Sequence, residues 1–489
     1  MQEMTYKQAV EYLDRVPKFS PRSIANGLEP YNLTAISELL HRLGDPQDKL
    51  KFVHIAGTNG KGSTAAFLSR ILMESGYRVG VYTSPHLVDY TERMQILIPG
   101  QAPYYISGDD FGFLTGLVKD RAEDMRRDQI QYPSEFELIC AMGFLYFLEQ
   151  EVDVVVLETG LGGRLDATNV IKTPDLAIIT TISYDHTEIL GETLEQIAYE
   201  KAGIIKENGD VLLYPQPPEV EEVFENVCKE RGAWLHRAIL PGKITDISLR
   251  GQVFDLPSLK DLSITLPGVY QVGNASLAIG AAKILYTRGY DDITDDSMRR
   301  GLKNTLVPGR FELMQNHPTV IVDGGHNEEG AMVLARSLES QFGEDQKVIF
   351  IMGVLADKEY DRMSEQVCPL AKKFFTVTPS SDRALSAAEL AQYLHSATGL
   401  TATPCNTVQT AIRMAVSQAE EDDVICIFGS FYFLGEVRRI MGADSAALDQ
   451  EGADAENTSQ KRSVNENRAA KGEKAEKKKK RGIFSFFRK

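Results

Sequence analysis

The stretch His54–Thr64, HIAGTNGKGST, decides how the rest of the chain is interpreted. Its glycines, its single lysine and its hydroxyl residues are typical of a loop that holds phosphate oxygens with backbone N–H groups at the start of a helix. One detail departs from the ordinary pattern, because Gly62 stands between Lys61 and Ser63. A tight turn before a helix would have a similar composition, so the loop alone leaves both interpretations open.

The sequence around this loop supplies the context that a phosphate site requires. Residues 49–57, KLKFVHIAG, predict a buried strand, and residues 63–76 predict a helix with Gly76 as its C-cap. A second strand is predicted at 77–85, YRVGVYTSP. The order strand, glycine loop, helix, strand favours a real phosphate loop.

The remaining apolar runs of the N-terminal part predict its fold class. The runs at 152–160, 175–183 and 210–215 are continuously apolar, which indicates parallel strands covered on both faces. Residues 216–266 alternate more weakly and predict an antiparallel patch, and residues 268–289 predict a helix. We therefore expect an α/β protein that begins with a doubly wound ATPase domain of the phosphate-loop type.

The strand pattern restarts after Val307. The segments TVIVDGG, KVIFIMGV, KKFFTVTP and DDVICIFGS are strand-like, with helical patterning between them, which predicts a smaller Rossmann-like α/β domain. Pro308 and Gly309 mark the boundary. The expected organisation is therefore an ATP-binding domain at 1–306, a second domain at 307–442 and a disordered tail at 443–489, where large apolar residues are almost absent.

Two chemistry-bearing side chains follow strands of the predicted first sheet. Glu158 ends one apolar run, and His186 comes shortly after another. Because the carboxyl ends of parallel strands share one edge, both are expected beside the phosphate loop. Carboxylate, imidazole and hydroxyl groups suit a Mg²⁺ ion that keeps several waters. A helix cap or surface ion pair for Glu158, and a structural role for His186, are the alternatives that the shared edge makes weaker.

Lys201 stands in an apolar setting, next to Ala202 and near Ala198 and Ile204. A buried ammonium group requires a partner or a chemical change that removes its charge. The alternative is an exposed lysine that extends from the surface of a helix.

Composition limits the class of protein. The chain has 489 residues and a formal net charge of -16, which argues against non-specific nucleic-acid binding. The start of the sequence lacks a signal-peptide pattern, and no apolar run reaches membrane-spanning length. Five scattered cysteines without CxxC pairs favour reduced thiols and a cytoplasmic protein. The last residues, KKKKRGIFSFFRK, predict either a solvated tail or a weak contact with anionic membrane.

The motifs together resemble the folylpolyglutamate synthase/dihydrofolate synthase family, which belongs to the Mur ligase superfamily. They occur in that family's order over roughly residues 1–442: GTNGKGS, TSPHL, ERM, ETGLGGRLDATN, DHTEILG, EKAGIIK, YQVGNASLA, PGR, DGGHN, LADKEY and FGSFYFLGE. Glycine after the loop lysine is normal in this family. Gly325 stands where alanine is usual, and the rest of its motif is kept.

The resemblance implies a role for each matching residue. ATP contacts are implied for Thr58, Asn59, Gly60, Lys61, Gly62, Ser63, Asn274, Arg310 and Asp323. Magnesium, as two ions, is implied at Ser84, Glu158, His186 and Lys201, the last as a carbamate, with Ser63 as a rival hydroxyl ligand. The pterin pocket is implied at Ser134, Glu135, Phe136, Glu137, Leu165, Asp166 and Ala167, and the glutamate site at His326 and Ser430. Lys61, Lys201, His186, Arg310 and His326 form the implied catalytic set.

The implied activity is ATP-dependent amide-bond formation by a monomeric enzyme. L-glutamate would be added to dihydropteroate, to reduced folate or to both, through an acyl phosphate. A Mur-type cell-wall ligase is the nearest alternative, but only 56 residues precede Gly57, too few for the extra α/β domain such enzymes carry. An inactive, nucleotide-gated binding protein and a simple phosphate-loop kinase are the others. An inactive binding protein does not explain why the set of charged motif residues is present. A simple kinase does not explain the second α/β unit.

Overall fold

A computed structural model describes residues 3–17 and 32–442. Two α/β units follow one another along this part of the chain, each built on its own mainly parallel sheet. The predicted fold class is confirmed.

The first unit contains an eight-stranded sheet in the order β4-β3-β2-β5-β1-β6-β7-β8. Six of its strands run parallel, while β3 and β4 form an antiparallel edge. The strand bounds are β1 Phe52–Ala56, β2 Val79–Tyr82, β3 Met94–Leu97, β4 Tyr104–Tyr105, β5 Val154–Glu158, β6 Leu176–Ile179, β7 Asp210–Leu213 and β8 Trp234–Arg237. Because β1 lies between β5 and β6, the loops after these three strands open at one place on the carboxyl edge.

Helices cover both faces of this sheet, as the continuously apolar strands require. In β6, Ile178 packs into one core, while its neighbour Ile179 packs into another on the opposite face. The helices of the first unit are Tyr6–Leu13, Thr34–Arg42, Lys61–Glu74, Gly108–Arg127, Glu135–Glu149, Thr187–Leu190, Leu194–Ala202, Pro218–Arg231, Gln271–Tyr286 and Asp295–Lys303.

The predicted antiparallel patch at 216–266 is wrong over its first part. Residues Pro218–Arg231 form a helix, and β8 joins the main sheet in parallel. An antiparallel three-stranded sheet does follow, with β9 Lys243–Ser248, β10 Gly251–Leu256 and β11 Leu259–Ile264. The helix has a mostly polar exposed face, and this is the reason that its weak apolar pattern resembled alternation.

The second unit is a six-stranded sheet in the order β12-β13-β17-β14-β15-β16, with only β12 antiparallel. The strands are β12 Glu312–Asn316, β13 Thr319–Val322, β14 Val348–Met352, β15 Ala371–Thr376, β16 Ala402–Pro404 and β17 Val424–Phe428. The helices are Glu328–Phe342, Tyr360–Val367, Ala387–Thr398, Val408–Gln418 and Phe431–Ile440. All four strand-like segments predicted for this unit are strands.

Within residues 3–17 and 32–442, no helix combines the length and apolarity needed to cross a membrane. The five cysteines are free thiols, as predicted. The prediction for the tail at 443–489 lies outside the described residues.

Candidate active site

The phosphate loop joins β1 to the helix Lys61–Glu74. Gly57 has φ 151° and Gly60 has φ 85°, both in the region that favours glycine. A Cβ atom at Gly57 would lie 1.7 Å from the Thr180 hydroxyl oxygen, and one at Gly60 would lie 2.5 Å from Asn274 Oδ1. The loop therefore has no room for side chains at these positions.

Two lysines converge on the carbonyl oxygens of this loop. Lys61 Nζ donates to Gly57 O and to Thr58 O, both at 3.0 Å, and Lys201 Nζ donates to the same Gly57 O at 2.8 Å. Lys201 is only 4% exposed, so the alternative of an exposed lysine is wrong. Burial lowers the pKa of Lys61, and burial together with the nearby Lys61 lowers the pKa of Lys201 to about 7. The loop thus brings two lysine side chains to one carbonyl oxygen, and burial disfavours a positive charge on both at once.

Glu158 ends β5 directly against the loop. Its Oε2 accepts a hydrogen bond from the Ser84 N–H at 3.2 Å, and a Cβ at Gly62 would lie 3.6 Å from the same oxygen. Burial raises the pKa of this carboxyl group, while Lys61 acts to lower it. A buried carboxylate beside an anion-binding loop fits a cation that neutralises both.

His186 lies after β6, as predicted, and begins the short helix Thr187–Leu190. Burial lowers the pKa of its imidazole to about 3, so the ring is neutral and free to act as a ligand. Within the described part of the chain, no group of three or more His, Cys, Asp or Glu side chains is arranged to hold a metal ion by itself. One carboxylate and one imidazole fit Mg²⁺, which takes most of its ligands from phosphate and water.

The helix Gln271–Tyr286 closes the other side of the loop. Gln271 Nε2 donates to Ser63 Oγ at 3.2 Å, and Asn274 Nδ2 donates to Gln271 Oε1 at 3.0 Å. Thr58 is held from the side of β6, because its hydroxyl donates to Ser183 O at 3.1 Å. Every predicted loop residue is therefore placed at one site.

The second unit brings Arg310 and Asp323 to this edge. Asp323 follows β13 and accepts hydrogen bonds from the Tyr270 hydroxyl at 2.7 Å, from Phe311 N at 2.8 Å and from Gly325 N at 2.7 Å. Burial raises the pKa of Asp323, and Arg310 acts to lower it. The Arg310 guanidinium carbon lies 4.5 Å from the centre of the Phe431 ring.

His326 lies at the same seam between the two units. His326 Nδ1 is 3.0 Å from Gly324 O, and its Nε2 is 3.5 Å from Asp185 Oδ2 in the first unit. Ser430 begins the helix Phe431–Ile440 and accepts a hydrogen bond from Tyr432 N at 3.3 Å.

Comparison with known proteins agrees with this geometry. The Mur ligase middle domain matches residues 55–282, and the Mur ligase glutamate ligase domain matches residues 309–431. The dihydrofolate synthase/folylpolyglutamate synthase of Bacillus subtilis is 35% identical over 84% of this chain and 95% of its own length. The folylpolyglutamate synthase of Lacticaseibacillus casei is 31% identical over 90% of this chain and 99% of its own.

The solved structures agree. The folylpolyglutamate synthase of Mycobacterium tuberculosis in complex with ADP superposes with a TM-score of 0.80, at 30% identity, over 89% of this chain and 98% of that one. An FPGS–AMPPCP–folate complex gives a TM-score of 0.75 at 29% identity, over 89% of this chain and 99% of that one.

The chain belongs to the folylpolyglutamate synthase/dihydrofolate synthase family. It is accordingly an ATP-dependent ligase with the Mur ligase fold. The resemblance inferred from the motifs is confirmed.

In this synthase, the residues predicted to line the pterin pocket lie around the start of the helix Glu135–Glu149. Ser134 and Glu137 form a capping box, in which Glu137 Oε2 accepts from both the N–H and the hydroxyl of Ser134 at 2.7 Å. Phe136 packs against the Gly160 backbone, where a Cβ would lie 2.5 Å from its ring. The Arg93 guanidinium is 3.8 Å from the Glu135 carboxylate.

Asp166, between Leu165 and Ala167, holds the loop after β5 in place. Its Oδ2 accepts hydrogen bonds from Gly160 N at 2.9 Å and from Leu161 N at 2.8 Å. Burial raises the pKa of Asp166, while its hydrogen bonds act to lower it. Its carboxylate therefore fixes the backbone of the loop that follows β5.

Sequence reasoning missed the polar residues that join the two units. Asp185 pairs with Lys358 and accepts a hydrogen bond from Asn327 Nδ2 at 3.3 Å, and Asn59 Nδ2 donates to Glu329 Oε2 at 2.6 Å. The available signals were the position of Asp185 beside His186 and the lysine within the LADKEY motif. Neither indicates a partner in the other unit.

Proposed function

We propose that this synthase joins the amine of L-glutamate to the carboxylate of dihydropteroate, of a reduced folate, or of both, with ATP as the energy source. The observation that carries the proposal is the convergence of Lys61, Lys201 and Glu158 on one phosphate loop. Arg310 and Asp323 of the second unit face the same edge.

The reaction requires a carboxylate to become reactive toward an amine. A carboxylate resists amine attack because oxide would have to leave, and transfer of the γ-phosphoryl group of ATP gives an acyl phosphate with a good leaving group. The glutamate amine then attacks the acyl carbon, phosphate departs and the ammonium proton is released. ADP and phosphate are the other products.

Two anions must meet in the first step, and positive groups offset their repulsion. Lys61 lies at the loop that would hold the phosphates, and Arg310 would approach them from the second unit. Closure of the second unit over the first would also exclude water from the acyl phosphate. His326, at the seam, and Ser430 would lie next to the incoming glutamate.

Magnesium would be held by Glu158 and His186, with Ser84 and a carbamate on Lys201 completing the protein ligands. Bound there, it would supply positive charge to the transferring phosphoryl group. A pKa of about 7 gives Lys201 the neutral amine that reacts with carbon dioxide. Conversion to a carbamate would turn a costly buried cation into an oxygen ligand.

The pterin would bind beside Phe136 and the loop shaped by Asp166. Names and complexes of related proteins support both acceptor types: a curated relative is named for both activities, and a solved relative holds folate with an ATP analogue. We place the domain boundary near residue 307, between the two matched family regions, and propose a monomer.

The decisive experiment couples ATP hydrolysis to product mass. Purified protein receives Mg·ATP and L-glutamate with either dihydropteroate or tetrahydrofolate, and we expect one glutamyl mass increment or more on each acceptor. An increment on a single acceptor would restrict the activity to that one. If neither acceptor gains mass while the nucleotide still binds, the ligase proposal fails in favour of a nucleotide-gated binding protein.

A further inference from the structure

A network of polar side chains crosses between the two units beside the phosphate loop. Asn59 and Asn327 form a reciprocal pair, in which the Nδ2 of each donates to the Oδ1 of the other at 3.2 Å. Glu329 Oε2 accepts from Asn59 Nδ2 at 2.6 Å and from the Thr181 hydroxyl at 3.1 Å. We name these four residues the interdomain clasp.

The clasp occupies both donor hydrogens of the Asn59 side-chain amide. A side-chain amide has two donor hydrogens, and Glu329 and Asn327 are the two nearest acceptors of Asn59 Nδ2, with Ser183 Oγ at the limiting distance of 3.5 Å. Asn59 was predicted to contact ATP phosphates, yet its side chain points to the second unit. Only its backbone is left to face a phosphate.

Asn327, on the second-unit side of the clasp, has further hydrogen-bond partners. Asn327 Oδ1 also accepts from Gly330 N at 2.8 Å and so begins the helix Glu328–Phe342, while Asn327 Nδ2 also donates to Asp185 Oδ2 at 3.3 Å. The second unit thus presents a rigid helix start to the loop. Separation of the units would break the contacts with Asn59, Thr181 and Asp185 together.

An acidic residue in the first turn of a helix has a simpler explanation, namely its interaction with the helix dipole. Glu328, in that same turn, pairs with Arg362 at 3.4 Å and so stays within the second unit. Glu329 occupies the next position, yet contacts two first-unit residues. The helix dipole does not explain why the Glu329 carboxylate points to the first unit.

We propose that Glu329 is a positioning residue for the phosphate loop. It acts through Asn59, next to Gly60 with its φ of 85°, and holds the loop in the conformation that binds phosphate only when the second unit is closed. Closure and nucleotide binding therefore reinforce each other. The inference rests on the proposed use of ATP, but not on which acceptor is glutamylated.

The test is a double-mutant cycle on nucleotide affinity. The affinity for Mg·AMPPCP is measured by calorimetry for Asn59→Ala, Glu329→Ala and the double variant, with the full chain in each case. Each single variant is expected to bind about tenfold more weakly, as loss of a hydrogen bond to a charged group predicts. The double variant is expected to bind no more weakly than the worse single variant, because the two residues act as one unit.

Two further variants separate positioning from folding. Glu329→Gln keeps an oxygen that accepts from Asn59 and is expected to stay within about threefold of the parent protein, whereas Glu328→Ala is expected to leave affinity unchanged. Effects that multiply in the double variant, or an unchanged affinity in Glu329→Ala, would overturn the proposal. Because AMPPCP binding needs no acceptor, failure of the ligase assay and failure of this cycle are separate results.

Discussion

Gly57 shows at the scale of one residue how little freedom the phosphate loop has. We predict that Gly57→Ala abolishes Mg·AMPPCP binding and lowers the free energy of unfolding by ~3 kcal/mol, because the added Cβ would lie 1.7 Å from the Thr180 hydroxyl oxygen. Urea denaturation and calorimetry measure both effects.

Gly76→Ala is the matched control for that change. Gly76 also has a positive φ, of 101°, but a Cβ there meets nothing within 4 Å. Its substitution is expected to cost only the backbone strain, about 1–2 kcal/mol, with nucleotide binding intact. Equal binding losses in the two variants would show that the loss follows from lowered stability and not from the contact with Thr180.

Arg310 provides a test of the chemical step. We predict that Arg310→Ala lowers kcat by ~10²-fold while nucleotide affinity falls much less, because the guanidinium would stabilise charge that develops during phosphoryl transfer. Steady-state kinetics and AMPPCP calorimetry on the same preparation make the comparison. Unchanged turnover would remove Arg310 from the mechanism.

The residue types of the site were predictable, but their partners were not. Lys61, Glu158 and His186 stand in local patterns, each just after a strand, which is enough to place them on one edge. Asn59 and Glu329 are 270 residues apart in the chain, and no local pattern links them. Contacts of this kind depend on how two finished units dock.

At the scale of the element, the helix Glu135–Glu149 depends on its capping box. We predict that Ser134→Ala lowers the free energy of unfolding by ~1 kcal/mol and leaves KM for the pterin substrate unchanged, because the hydroxyl is bonded to Glu137. Ser386→Ala removes the same kind of cap from the helix Ala387–Thr398 and serves as the control. A rise in KM only for Ser134→Ala would mean that this hydroxyl contacts the substrate directly.

The elements that sequence reasoning found are those buried on both faces. The strands β1, β5, β6 and β14 are apolar except for His54 in β1 and Glu158 at the end of β5, and each is fully buried. The short or partly exposed strands β4, β8, β12 and β16 were missed, since their position at a sheet edge leaves too weak a pattern. Pairing at an edge is decided by tertiary contacts.

At the scale of the whole molecule, the described site residues all precede Gly442. A chain that ends at Gly442 is therefore expected to keep the kcat of the full-length protein. The same pair of proteins tests the predicted tail, since equal sedimentation with anionic vesicles is expected for a solvated tail. Stronger sedimentation of the full-length chain would instead support a membrane contact through its basic and aromatic end.

The shared carbonyl of Gly57 has a consequence for how the protein is handled. Lys61 and Lys201 donate to the same oxygen, and a positive charge on both would be costly because Lys201 is almost fully buried. The proposed carbamate on Lys201 would remove one of these charges, and dissolved carbon dioxide would then be required for full activity. Degassing would then slow turnover, and added bicarbonate would restore it.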